Sequence, residues 1–119
     1  MSWRFEADTP VYIQIERRIC ADILRGKYAP GAQIPSVRQI AMEAAVNPNT
    51  VQKALIELEG RGIVSAQSTV GRFVTLDSKI IENERRLVLK EITDRFLKSA
   101  LALGISKQEL IKQLGEEDA

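Results

Sequence analysis

Apolar positions early in the chain recur at helical spacing: Tyr12, Ile15, Ile19 and Ile23 lie three or four residues apart, while Arg17, Arg18, Asp22 and Arg25 fall largely off that stripe. A capping hydroxyl and a proline, Thr9-Pro10, precede the pattern and Gly26 follows it, so a helix is expected over residues 10–25. A second run places Val37, Ile40, Ala41 and Ala44 on one face, behind a Ser36-Val-Arg-Gln39 start with the spacing of a capping box. The two small alanines permit a neighbouring helix to approach closely. After a break at Ala45-Val46, Asn47-Pro48 repeats the start signal, and Val51, Leu55 and Leu58 bury a third helix.

The pattern then changes period. Gly60 and Gly62 bracket a turn, and residues 63–66 and 72–76 read as two strands joined by Q-S-T-V-G. A two-stranded hairpin is marginal alone, so this one is expected to lie against the helices. Ala32 to Ile34, caught between Pro30-Gly31 and Pro35, cannot be helical and is expected to extend and pair with a later strand. At the N-terminus Trp3 and Phe5 alternate with polar residues, which suits a short strand or extended arm packed on the body.

From Ser78 to Leu103 the helical period returns. Ile81, Arg85, Val88, Leu89, Ile92, Phe96, Ser99, Ala100 and Leu103 form a seam near heptad spacing, flanked by charged residues such as Arg86, Lys90, Asp94 and Lys98. Gly104 ends this helix, and Ser106-Lys-Gln-Glu109 opens a short one carrying Leu110, Ile111 and Leu114. Two such helices leave apolar surface without a partner, so self-association is expected through Val88, Leu89, Ile92, Phe96, Ala100 and Leu103. Packing back on the first helix is the alternative. The expected fold is mainly α with a small β-wing: a winged helix-turn-helix over residues 1–76, then a helical dimerisation region over 77–119.

Composition narrows the chemistry. Hydrophobic residues make up 45% of the 119 and aromatics only 5%, so the core must be aliphatic and helical rather than a strand-rich sandwich. There is no histidine, which removes the commonest general base and metal ligand, and the single Cys20 sits inside a helical pattern as a core residue. No enzyme, metal or cofactor is expected. No stretch approaches the length of a membrane helix, and M-S-W-R-F-E lacks the apolar run of a signal peptide, so a cytoplasmic protein with no membrane partner is expected. The net charge of +1 argues neither way about nucleic acid. Residues 1–76 carry nine basic against seven acidic side chains, and 77–119 eight against nine, a weak excess in front.

Local placement is more informative. Asn49, Thr50, Gln52 and Lys53 fall on or near the exposed first turns of the third helix, where a recognition helix meets base edges. Asn and Gln can bind adenine in bidentate fashion, the Thr methyl can meet a thymine methyl, and Lys53 can take phosphate or guanine. Arg38 opposes the dipole of its own helix, so an outside phosphate accounts for it better than stability does, with a solvated surface arginine as the alternative. Gly71 suits close approach to a phosphate or a positive φ, or is a plain turn glycine, and Arg72 is the one basic residue at the hairpin tip.

The runs G-K-Y-A-P-G-A-Q-I-P-S-V-R-Q-I-A and V-N-P-N-T-V-Q-K-A-L-I-E-L-E-G-R-G-I-V resemble the winged helix-turn-helix of the GntR family of bacterial transcription regulators over residues 9–76. The short helical C-terminal part and N-P-N-T-V-Q look like the YtrA-like subfamily. The resemblance implies a phosphate contact at Arg38, recognition-helix contacts at Asn49, Thr50, Gln52 and Lys53, and the wing glycine at Gly71. The family often has two closely spaced wing glycines and more wing cations than S-A-Q-S-T-V-G-R-F-V offers. It further implies a dimeric repressor on double-stranded DNA, reading an inverted-repeat operator and often controlling a transporter operon, with an unidentified small-molecule effector left open. A protein-interaction module using the winged fold without DNA is the rival reading.

Overall fold

The computed structural model describes residues 3–117. Its elements are α1 (Val11–Leu24), α2 (Val37–Ala44), α3 (Pro48–Gly60), β1 (Val64–Gln67), β2 (Gly71–Val74), α4 (Ser78–Leu101) and α5 (Lys107–Glu116). The expected mainly helical fold with a small β-wing is what forms.

The three N-terminal helices share one core. Ile15, Ile19, Cys20 and Ile23 of α1, Ile40 and Ala41 of α2, and Val51, Ala54, Leu55 and Leu58 of α3 are all buried, and Ile34, Ile63, Val64 and Val74 close it from the sheet side. α3 is central, packing on both α1 and α2. Trp3 and Phe5 pack against this core in an extended arm rather than a strand, their rings stacked 6.0 Å apart. Asp22, placed off the stripe by its spacing, also joins the interior: it is 4% exposed and is paired with Arg25 and Lys27.

The caps explain where the helices begin. Ser36 Oγ accepts from the Gln39 amide at 3.1 Å while the Ser36 amide donates to Gln39 Oε1 at 2.9 Å, closing the expected box. Asn47 Oδ1 accepts from the Asn49 amide at 2.8 Å, with Pro48 in the first turn. Thr9 does not cap α1. Its hydroxyl faces Asp8, and Gln14 instead reaches back, its Nε2 donating to Thr9 O at 2.7 Å and Glu6 O at 2.9 Å. A long amide inside the helix thus ties down the arm that a threonine was expected to cap.

α2 and α3 are joined through Ala45, which adopts the left-handed conformation at φ 55° and ψ 48°. Val46 then donates to Ala41 O at 3.1 Å, which closes α2 and turns the chain toward α3.

The hairpin pairs Val64 with Val74 and Gln67 with Gly71, so β1 is shifted one residue along from the expected 63–66, and β2 starts one residue before and ends two before the expected 72–76. Residues 32–34 do pair with it: Ile34 N donates to Arg72 O at 3.0 Å and Val74 N to Ala32 O at 2.9 Å. The marginal hairpin is thereby extended by a third segment along its β2 edge.

Contacts divide the chain between Glu82 and Asn83. The edge expected at residue 76 moves by the first turn of α4, because Ile80 and Ile81 pack against the N-terminal core. In the second unit α4 ends at Leu101, and the Leu103 and Ile105 amides fold back onto Ala100 O at 3.0 Å. Ser106 Oγ accepts from the Glu109 amide at 3.1 Å, forming the expected second capping box at the start of α5. No helix among the described residues is long and apolar enough to cross a membrane.

Candidate nucleic-acid interface

The core-facing side of α3 is completely buried, which fixes what the opposite side presents. Asn49, Gln52, Lys53 and Ile56 are exposed, at positions i, i+3, i+4 and i+7, and so lie along one face of the helix. Thr50 is only half-buried and lies a quarter-turn away from Asn49, at the edge of that face. The Asn47 cap uses the Asn49 backbone amide and leaves its side-chain amide outside.

Lys53 leans sideways. Its ammonium lies 4.0 Å from the centroid of the Tyr12 ring on α1, so the charge is held by an aromatic face while the residue remains exposed. Arg38, in the first turn of α2, is exposed and makes no hydrogen bond or ion pair with the described residues, which leaves all its donors for an outside acceptor.

The wing differs from expectation. Arg72 is not at the hairpin tip: it sits on β2 opposite Ala66, and its Nε is ion-paired with Glu59 of α3, leaving the side chain 15% exposed. The alternation of the strand aims it back toward α3, where a carboxylate waits. The tip itself is Ser68, Thr69 and Val70, all exposed and without a charge. Gly71 does have positive φ, at 138°, but the group that approaches it belongs to the chain itself. A Cβ there would stand 2.5 Å from Gln33 Nε2, which donates to Val70 O at 2.8 Å. The glycine makes room for a side chain that braces the wing.

Sequence reasoning left out two residues here. Gln33 bonds a position 37 residues away, so no local pattern signals it. Ile56 was legible as an apolar residue off the buried stripe of α3, since it falls one turn beyond Gln52.

In the C-terminal unit Leu89, Ile92, Phe96 and Leu103 are 61%, 58%, 46% and 78% exposed. Val88 is half-buried. Ala100 is 6% exposed, a departure from the surface seam expected of it, because the turn after α4 folds over its carbonyl. Among the described residues no cluster of His, Cys, Asp and Glu suits a metal ion.

The model of bacterial regulatory proteins of the gntR family matches residues 11–74, the span of these first three helices and the wing. The chain is 32% identical to the HTH-type transcriptional regulator YhcF of Bacillus subtilis, over 94% of this chain and 93% of that protein. It is also 32% identical to the HTH-type transcriptional repressor YtrA of the same organism, over 95% and 88%. A solved GntR family transcriptional regulator from Listeria monocytogenes matches with a TM-score of 0.87 at 32% identity, covering 96% of this chain and 100% of that one. The AraR DBD in complex with an operator matches at 0.58 and 26% identity, over 60% and 93%. Regulators rather than enzymes surround the chain in both comparisons. With its winged helix-turn-helix and capped recognition helix, this protein belongs to the gntR family of bacterial regulatory proteins, as a DNA-binding transcription regulator of YtrA-like type.

Proposed function

We propose that the protein is a homodimeric, cytoplasmic repressor that reads an inverted-repeat operator with one α3 helix per half-site. The observation that carries this is the exposed Asn49 and Gln52 face of α3, together with an exposed Arg38 at the start of α2 that has no partner among the described residues. Asn49 and Gln52 supply base-edge hydrogen bonds, Thr50 and Lys53 border them, and Arg38 takes a phosphate that sets the register. Gly71 and Arg72 act on DNA through the wing they hold in place. A wing without a free cation adds little phosphate affinity, so two copies must share one site. The exposed Leu89, Ile92, Phe96 and Leu103, with half-buried Val88, supply the surface for that pairing, and Ala100 supports it from within. Repression is supported by the likeness to YtrA. Control of a transporter operon and response to a small-molecule effector follow from the subfamily resemblance alone.

Selection of bound sequences from random DNA by the full chain, with mass measurement in solution, tests this reading. The expected result is a palindromic site bound in a salt-dependent way, and a particle of twice the 13.3 kDa chain. Failure to enrich any sequence favours the protein-interaction module, and a monomer at micromolar concentration removes the dimer.

A further inference from the structure

The face of α3 that carries Asn49 and Gln52 does not end with polar residues. Ile56 is 52% exposed on it, although Val51, Ala54, Leu55 and Leu58 on the opposite side are entirely buried. Helices that lie along the major groove read it through side chains at i, i+3, i+4 and i+7, the spacing of Asn49, Gln52, Lys53 and Ile56. Beyond Ile56 the character changes: Glu57 is exposed on one flank, and Glu59 on the other is held by Arg72. Those carboxylates border the face and leave Ile56 as its last neutral side chain. An isoleucine offers no hydrogen bond, and the one apolar group that base edges present in the major groove is the thymine C5 methyl.

We infer that Ile56 reads a thymine methyl in each half-site, so that specificity extends one helical turn past Gln52. One turn advances about 5.4 Å. Base pairs are stacked about 3.4 Å apart. The thymine therefore lies one or two base pairs from the base that Gln52 contacts. This inference rests on the DNA reading above and adds to it the chemistry of a further base.

The test uses the full chain and a half-site taken from the selected DNA, with each thymine replaced in turn by deoxyuridine, which lacks only the methyl. Wild-type protein is expected to lose about four-fold in affinity at one position, the effect of burying one methyl-sized group. Ile56→Ala is expected to bind the thymine and uracil forms of that position equally. Its circular dichroism should match wild type, since the side chain is exposed. An unchanged thymine-to-uracil ratio in Ile56→Ala overturns the inference, as does a half-site in which no thymine responds. A fall in solution mass in that variant with the ratio intact also overturns it, and assigns Ile56 to self-association. Absence of salt-dependent binding by wild type is the different failure, that of the DNA reading itself.

Discussion

Arg38 and Ala45, seven residues apart, show two ways in which a single position departs from what stability alone would choose. Arg38 places a cation in the first turn of α2, where the helix dipole opposes it and no described residue accepts from it. Arg38→Ala is expected to weaken binding to all DNA sequences alike and to lower the slope of log affinity against log salt by about 1, read from titrations at several salt concentrations. An unchanged slope removes the phosphate contact. Ala45 holds a left-handed conformation that costs a non-glycine residue roughly 1–2 kcal/mol. Its side chain is exposed, so little packing is lost on removing it. Ala45→Gly is expected to raise stability by up to about 1 kcal/mol after the added freedom of the unfolded chain is subtracted, measured as a later denaturant midpoint.

At the scale of elements, the helices are defined locally and the wing is not. Ser36→Ala removes the hydroxyl that accepts the Gln39 amide, and about 1 kcal/mol of stability should go with it in chemical denaturation. The wing depends on Gln33, Gly71 and the pairing of residues 32–34 with β2. Gln33→Ala is expected to speed amide exchange at residues 67–71 while exchange in α3 stays slow, because the tip loses its brace and the core does not. Equal acceleration in both would mean that Gln33 supports the whole domain. Much of this scale was legible beforehand: both capping boxes form at the serines whose spacing marked them, and the Pro48 start is where it was read. The start of α1 departs from its sequence signal because Thr9 and Pro10 carry the right residue types, while the competing Gln14 contact depends on how the arm folds back.

For the whole molecule, the expected coupling is between self-association and DNA affinity. Ile92→Glu places a charge in the middle of the exposed apolar row on α4, in the unit that begins at Asn83. It should halve the solution mass and weaken operator binding, while leaving the thermal midpoint of the winged unit close to wild type. Unchanged mass would direct attention to Ile111 and Leu114 of α5, which are 61% and 62% exposed. In contrast, Leu55→Ala opens a cavity where α3 meets the core, and should cost about 2–5 kcal/mol of stability before any effect on DNA is seen.

The linear chain by itself determined the helices, the caps of α2, α3 and α5, the change of period at the hairpin and the polar residues that α3 turns outward. These follow from spacing, because burial selects apolar positions at the repeat of each element, and capping side chains act within a turn. Only the tertiary structure decided the pairings made over longer separations. Arg72 meets Glu59 instead of standing at the tip, Lys53 rests on Tyr12, Asp22 is buried between two cations, and Gln33 fills the space that Gly71 leaves. Each needs two segments brought together by the core, and a charge or amide carries no mark in sequence of which distant partner it will meet.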